Sequence, residues 1–110
     1  MSLDLIFAAL ADPTRRAIVA RLLEGEADVS ELAAPHGLKQ PTISKHLKVL
    51  EEAGLITTGR AAQRRPRQLN AAALQDLAAW IEPFRQTWEA RFDRLEELSR
   101  QQAGTKGDKK

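Results

Sequence analysis

Residues 37–56 read Gly-Leu-Lys-Gln-Pro-Thr-Ile-Ser-Lys-His-Leu-Lys-Val-Leu-Glu-Glu-Ala-Gly-Leu-Ile, and the fold of the chain can be inferred from their pattern. The first glycine permits a sharp turn, and Gly54 permits the left-handed backbone that ends a helix. Between them, Ile43, Leu47 and Leu50 recur at the spacing of one helix face, while lysines occupy the opposite face. A turn, an amphipathic helix with a basic outer face and a following strand predict a helix-turn-helix that presents its second helix to the major groove of DNA.

Shorter elements precede this stretch. Residues 3–10 are apolar enough for a first helix, and Asp12 can cap a second one. Residues 27–29 are long enough for a single strand crossing. Ser30 is a good N-cap for a third helix, which Pro35 ends or distorts because proline lacks a backbone N–H. Three helices are therefore expected before the basic one.

The segment after the basic helix predicts a hairpin and then a long helix. Residues 55–60 and 66–69 are expected to form two strands joined by an arginine-rich link, and Asn70 can cap the next helix. Pro83 lies inside that helix and predicts a kink or a split. The expected fold class is mainly α with a small β-hairpin wing: a winged helix-turn-helix with the order α-α-(β)-α-α-β-β-α and a kinked or split C-terminal helix.

Length and composition favour one small globular domain. The 110 residues suit a single DNA-binding and dimerisation domain over residues 1–100, and the polar residues 101–110 are expected to form a disordered tail. The chain has no cysteine, which excludes disulfides and thiolate metal sites and suits a cytoplasmic location. No apolar run has the length of a membrane span, so we expect no membrane as a partner.

The net charge of +2 conceals a segregation of charge along the chain. Residues 39–67 hold seven basic and two acidic side chains, a surplus of five positive charges. Residues 1–38 and 71–98 each hold six acidic and three basic side chains, a surplus of three negative charges. A positive centre between negative flanks predicts one surface for a polyanion such as double-stranded DNA.

Two segments give the chain a resemblance to a known family. Residues 10–18, Leu-Ala-Asp-Pro-Thr-Arg-Arg-Ala-Ile, are similar to the opening motif of the ArsR/SmtB family of winged helix-turn-helix transcriptional regulators, and residues 38–50 are similar to its recognition helix. Residues 80–96, with two tryptophans, resemble a metal-site-less branch of that family. The resemblance covers roughly residues 3–98 and implies a transcription regulator that binds DNA. Lys39 departs from the family pattern, which places serine there.

Side chains at the start of the basic helix have the chemistry to read bases. Gln40 can form two hydrogen bonds to adenine, and Thr42 and Ser44 can each donate or accept one. The lysines farther along and the wing arginines suit phosphates or a narrow minor groove. Ordinary solvated polar residues are the alternative. The predicted DNA-binding residues are Lys39, Gln40, Pro41, Thr42, Ser44, Lys45, Lys48, Arg60, Arg64, Arg65 and Arg67.

Apolar residues of the last helix recur at gaps of three and four, which is the pattern of a helix–helix seam that Arg91 interrupts. We expect this stripe and the first helix to form a homodimer interface. A dimer would place two recognition helices one DNA turn apart, roughly 34 Å, on a near-palindromic operator. Packing within the chain is the alternative. The predicted interface residues are Leu3, Ile6, Phe7, Leu77, Trp80, Ile81, Phe84, Trp88, Phe92 and Leu95.

Other functions have weaker support in the sequence. A winged-helix module that binds protein instead of DNA is the alternative, and the positive centre argues against it. An enzyme is not expected, because there is no phosphate-binding glycine loop and only two histidines. We expect no cofactor and no metal site, since no histidine follows His46. An unknown small-molecule effector stays open as a partner. We expect a sequence-specific regulator that represses transcription by occupying a promoter, and an activator stays open as the alternative.

Overall fold

Helices dominate the chain and a short hairpin interrupts them. The computed structural model describes residues 2–61 and 63–108. Its elements are, in chain order, α1 (Leu3–Leu10), α2 (Pro13–Leu22), α3 (Val29–Ala33), a 3₁₀ turn (Ala34–His36), α4 (Gln40–Glu52), β1 (Ile56–Thr58), β2 (Arg67–Leu69) and α5 (Ala71–Asp108). This confirms the predicted class, which is a mainly helical winged helix-turn-helix with a two-stranded wing.

Polar side chains start the first three helices. Ser2 and Asp12 each accept a hydrogen bond from a backbone N–H three residues later, at the starts of α1 and α2. The prediction that Ser30 caps α3 is wrong, because Asp28 is the cap. Asp28 accepts from the backbone N–H of Glu31, and the Glu31 carboxylate accepts from the backbone N–H of Asp28. This reciprocal capping box satisfies two backbone donors, whereas a serine cap satisfies one.

The helix-turn-helix consists of α3, the 3₁₀ turn and α4. Proline is tolerated in the 3₁₀ turn, so Pro35 tightens the end of α3 without breaking the chain path. Gly37 follows with a φ of +61°, and Gly54 ends α4 with a φ of +78°. Only glycine adopts these left-handed conformations at low cost. Both predicted glycine turns are confirmed.

The inner face of α4 holds the helix in the core of the domain. Ile43, Leu47 and Leu50 are buried together with apolar side chains of α1, α2 and α3. Helix α4 contacts all three of these helices and β1. Because its inner face is anchored on all sides, the opposite face is held in a fixed orientation toward solvent.

Strands β1 and β2 form an antiparallel hairpin, the wing, with Thr57 opposite Gln68. Ala27 adds one isolated bridge to Arg67, so the predicted crossing of residues 27–29 is reduced to a single residue. The reason is the Asp28 cap, which starts α3 at the next position. Asn70 donates its side-chain amide to the carbonyl of Gly54 and accepts from the N–H of Ala72, so it links the wing to α5.

Helix α5 crosses the boundary between two compact units, which the chain forms before and after Leu77. Residues 71–77 pack on the core through the buried Ala73, with Leu74 and Leu77 half-buried. The described helix is continuous through Pro83, so the predicted split is not observed. A proline removes one helical hydrogen bond, which a long helix can lose without ending.

The helix also continues through residues 101–108, where the sequence predicts a disordered tail. Extending an existing helix adds one hydrogen bond for each residue that is fixed, and Gln101, Gln102 and Ala103 are good helix formers. Lys109 and Lys110 lie outside the described residues. The domain boundary at residue 100 stays a prediction.

Candidate nucleic-acid interface

The structure places the predicted base-reading and lysine side chains on the outer face of α4. All of them are exposed, since the inner face is occupied by the buried stripe. These exposed residues are Lys39, Gln40, Pro41, Thr42, Ser44, Lys45 and Lys48. Seven predicted DNA-binding residues therefore share one surface of one helix.

The start of α4 has no side-chain cap. Lys39 is the N-cap residue, and its side chain makes no capping hydrogen bond. Its carbonyl accepts from the N–H groups of Thr42 and Ile43. Lys39 thus adds its positive charge to the end of α4 where the helix dipole is also positive. This end of the helix favours a phosphate group over a neutral partner.

Ser30, which was predicted to cap α3, instead orients the Gln40 side chain. The side-chain Nε2 of Gln40 donates to the hydroxyl of Ser30 on α3 at 3.1 Å. An amide nitrogen has two hydrogens, so one of them and the Oε1 atom remain available for the two-bond contact to adenine. Ser30 therefore orients the Gln40 side chain and does not cap a helix.

A polar cluster around Arg15 links the end of α1 to α4. The Arg15 guanidinium donates to the carbonyls of Ala8 and Ala9, and its Nη1 lies 3.4 Å from Nδ1 of His46 on α4. The hydrogen bond from the backbone N–H of Arg15, with the charges of His46 and Arg15, holds the pKa of Asp12 below its ordinary value. These contacts connect the amino-terminal helices to the recognition helix.

Three arginines of the wing surround one cavity. Arg60 and Arg65 are exposed and make no side-chain ion pair among the described residues, while Arg67 is half-buried. Together with Glu51, Thr58 and Gly59, they line a cavity of about 290 Å³. Guanidinium groups bind phosphates through directed hydrogen bonds, so this surface suits the DNA backbone.

Arg67 also stabilises the wing through contacts within the domain. Its Nη1 donates to the carbonyl of Arg65 at 2.7 Å, and its backbone pairs with Ala27. Its Nε atom is buried without an acceptor in the described structure. This arginine is therefore more constrained than its two neighbours at the cavity.

Arg64 differs from the other wing arginines because acids already hold it. Its Nη2 atom donates to Asp28 at 3.0 Å and to Glu31 at 3.1 Å. The side chain is still 64% exposed, so solvent and partners can reach it. The sequence predicted the same role for all four wing arginines. In the structure, acids hold Arg64 and Arg67 is half-buried, while Arg60 and Arg65 are exposed and have no acid partner among the described residues.

The predicted dimer residues fall into two groups. Ile6 is fully buried in the core, so its side chain cannot contact a second copy in this conformation, and we remove it from the predicted interface. Its position at the centre of α1 faces α2 and α4, which explains the burial. Leu3 and Leu77 are half-buried against the core, and Phe7 is 39% exposed.

The remaining predicted interface residues form an exposed apolar stripe on α5 after Leu77. Trp88 is 54% exposed and Phe92 is 57% exposed, and their ring centroids lie 5.8 Å apart. Trp80 and Phe84 form a second ring pair at 4.8 Å. The members of this α5 stripe are Trp80, Ile81, Phe84, Trp88, Phe92 and Leu95, with Leu98 in addition.

The described part of the chain contains neither a membrane-spanning helix nor a cluster of metal ligands. No helix within it is both long enough and apolar enough to span a bilayer. Within the same residues, no three histidine, aspartate or glutamate side chains group together as metal ligands do.

Comparisons with known proteins agree with this geometry. The family described as "Bacterial regulatory protein, arsR family" matches residues 12–58. The HTH-type transcriptional regulator Rv2034 of Mycobacterium tuberculosis is 43% identical over 81 residues, which are 74% of this chain and 76% of that protein. The transcriptional repressor SdpR of Bacillus subtilis is 35% identical over 79 residues, which are 72% of this chain and 88% of that protein.

Solved structures extend the similarity to the fold. The crystal structure of an ArsR family transcriptional regulator is similar with a TM-score of 0.69 and 40% identity, covering 79% of this chain and 96% of that one. The homodimeric winged helix-turn-helix DNA-binding domain of Mb0332 from Mycobacterium bovis is similar with a TM-score of 0.63 and 25% identity, covering 76% of this chain and 78% of that one. This chain belongs to the ArsR family of winged helix-turn-helix transcriptional regulators, which bind DNA and are not enzymes.

Proposed function

We propose that the protein is a homodimeric, sequence-specific repressor that binds a near-palindromic operator. The observation that carries this proposal is the outer face of α4, where seven exposed residues, six of them polar or basic, share one surface while the opposite face is anchored in the core. A helix held in this way can enter the major groove without rearranging the domain.

Sequence reading belongs to the first turns of α4. The Gln40 amide, oriented by Ser30, contacts an adenine edge, and Thr42 and Ser44 contact neighbouring bases. Lys45 and Lys48 lie farther along the helix and contact phosphates. In this assignment the lysines position the helix and the residues of the first turn supply the specificity.

Dimerisation uses the α5 stripe. Seven large apolar side chains that are each between 42% and 60% exposed form a larger apolar surface than a small monomer ordinarily leaves in water. Two copies that join along these stripes would bury them and bring two recognition helices to one face. The homodimeric state of the Mb0332 domain supports this arrangement.

Repression is supported by the known roles of similar proteins. SdpR is a transcriptional repressor, and a biofilm growth-associated repressor of Agrobacterium fabrum is 40% identical over 60 residues. A dimer that occupies a promoter prevents polymerase from binding there. We place the protein in the cytoplasm with the bacterial chromosome and in a branch of the family without a metal effector, since the chain has no cysteine.

The experiment on specificity is DNase footprinting on the DNA around the protein's own gene, followed by titration of the protected sequence. Gln40→Ala should weaken operator binding by about 1–3 kcal/mol and leave random DNA almost unaffected. Gln75→Ala, another exposed glutamine, is the matched control and should bind as the unsubstituted protein does. Equal losses on operator and random DNA would reassign Gln40 to positioning.

The experiment on dimerisation is sedimentation equilibrium of Trp88→Ala. Truncating a central aromatic anchor costs about 2 kcal/mol or more, which is roughly a 30-fold rise in the dimer dissociation constant. Leu23→Ala removes an apolar side chain that is 73% exposed outside the α5 stripe, and it should leave the dimer intact. A stable dimer without DNA affinity at low salt would instead favour a protein-binding winged-helix module.

A further inference from the structure

The first turn of α3 contacts both elements that the proposed function assigns to DNA. On one side, Ser30 accepts from Gln40 at the start of α4. On the other side, Asp28 and Glu31 accept from Arg64 near the tip of the wing. Four successive residues thus connect the base reader and the phosphate-binding hairpin.

Arg64 is well placed to fix the wing. Its backbone pairs with Ala61 through two hydrogen bonds of 2.9 and 3.1 Å, so the guanidinium extends from an ordered turn. Among the described residues between the two wing strands, Arg64 is the one whose side chain forms hydrogen bonds to the rest of the domain. At the base of the wing, Gln68 donates to Glu26 at 2.9 Å and Arg67 pairs with Ala27.

Asp28 and Glu31 are themselves rigid and charged. They form the capping box of α3, which fixes both side chains against the backbone. The hydrogen bond from the backbone N–H of Glu31, with the neighbouring Arg64 guanidinium, holds the pKa of Asp28 below its ordinary value. The Asp28 carboxylate is therefore ionised at neutral pH. The Glu31 carboxylate beside it accepts from the same Arg64 atom and also lies 3.5 Å from Nη2 of Arg21.

The negative charges of Asp28 and Glu31 bear on the role of Arg64. Two carboxylates beside a DNA-binding surface repel phosphates, and their removal alone should tighten DNA binding. Arg64 instead forms ion pairs with these acids, while Arg60 and Arg65 have no acid partner in the described structure. The arrangement therefore favours a role of the pair within the fold over a phosphate contact by Arg64.

We propose that Asp28 and Glu31 are positioning residues for DNA binding, which hold Arg64 so that the wing is set at a fixed distance from the recognition helix before DNA arrives. This inference rests on the proposed function, because it matters only if the wing and α4 contact the same DNA. Fixing the wing in advance removes an ordering cost that would otherwise reduce affinity.

The decisive variant is Asp28→Asn combined with Glu31→Gln. Asparagine caps a helix as well as aspartate and glutamine can replace glutamate in a capping box, so α3 keeps its start while Arg64 loses both charged partners. Affinity for a labelled 30-base-pair duplex of the footprinted sequence is measured by fluorescence anisotropy at several salt concentrations. We expect affinity to fall about three- to tenfold, which is the effect of one long side chain that must be ordered on binding.

Arg64→Gln separates positioning from phosphate contact. In the positioning role, it weakens binding by the same factor, leaves the slope of log K against log salt unchanged, and adds no further loss in the triple variant. If Arg64 contacts phosphate, the slope becomes less steep by about 1.8 per dimer and the Asp28→Asn, Glu31→Gln protein binds more tightly than the unsubstituted one. Either of these last results would overturn the inference.

Two controls keep the outcome interpretable. Asp4→Asn with Glu24→Gln removes the same number of charges from exposed positions outside the wing contact, and it should not weaken binding. Trypsin should cut after Arg60 or Arg64 faster in the Asp28→Asn, Glu31→Gln variant than in this control, because the wing opens more often and Arg64 is released from its acid partners. Equal cleavage rates would contradict the positioning role. If the unsubstituted protein fails to bind duplex DNA at low salt, the proposed function itself fails.

Discussion

Salt dependence offers the most direct measurement of the proposed DNA surface. Raising the salt concentration perturbs each phosphate contact equally, because every neutralised phosphate releases condensed counterions. The structure limits the number of contacts. Five basic side chains per protomer on α4 and the wing are exposed and have no acid partner among the described residues: Lys39, Lys45, Lys48, Arg60 and Arg65.

These residues set the magnitude. A dimer carries ten of them, which limits the phosphate contacts to ten and the slope of log K against log salt to about −9 on duplex DNA. With eight of the ten in contact with phosphates, the slope is about −7. A fourfold increase from 50 to 200 mM salt should then reduce affinity about 10⁴-fold. Arg64 and Arg67 are left out of this number, because acids hold the first and a carbonyl holds part of the second.

The assay is fluorescence anisotropy of a labelled 30-base-pair duplex at four salt concentrations. Arg65→Gln changes two contacts in the dimer and should make the slope less steep by about 1.8. A slope near zero for the unsubstituted protein would refute DNA binding by this surface. An unchanged slope in Arg65→Gln would show that the phosphate contacts lie elsewhere.

Three further predictions concern the scaffold. Leu47 is 1% exposed, so Leu47→Ala should lower the free energy of unfolding by about 2–5 kcal/mol in urea titrations, and a loss below about 1 kcal/mol would mean that α4 is not anchored as described. Gly37→Ala should cost about 1 kcal/mol, since a Cβ meets no atom within 4 Å and the φ of +61° is the sole strain; an equally stable variant would contradict that turn. The pKa values of Asp12 and Asp28 are lower in the folded state than the ordinary 3.8, so their contribution to stability is present above this value and is lost as pH falls through the lowered values. The melting temperature should therefore fall as the pH is lowered below about 4, and Asp12→Asn should reduce that fall; identical profiles would contradict the lowered pKa of Asp12.

Periodicity was sufficient to predict the recognition helix. The apolar stripe of Ile43, Leu47 and Leu50 depends on a spacing within one helix, and all three are buried as expected. The glycine turns at Gly37 and Gly54 were predictable for the same reason, since the need for a positive φ is local. The outer face of α4 followed from the inner one, so its exposed residues were predictable before any tertiary contact was known.

The start of α3 needed more than local rules. Asp28 and Ser30 are both good N-cap residues two positions apart, and propensity alone does not separate them. Glu31 favours Asp28 through the capping box, and the bridge between Ala27 and Arg67 ends the extended segment just before it. The choice therefore depended partly on a strand 40 residues later in the chain.

The helix-turn-helix, the wing, the positive centre and the apolar stripe of α5 were all predictable from residue types, because each depends on a pattern among residues close together in the chain. The folded structure was needed to separate the roles of the wing arginines, since Arg64 contacts acids that are 36 and 33 residues away in the chain. It also moved Ile6 from the expected interface into the core. Ion pairs and burial between distant segments depend on how the chain closes on itself, and no local pattern encodes that closure.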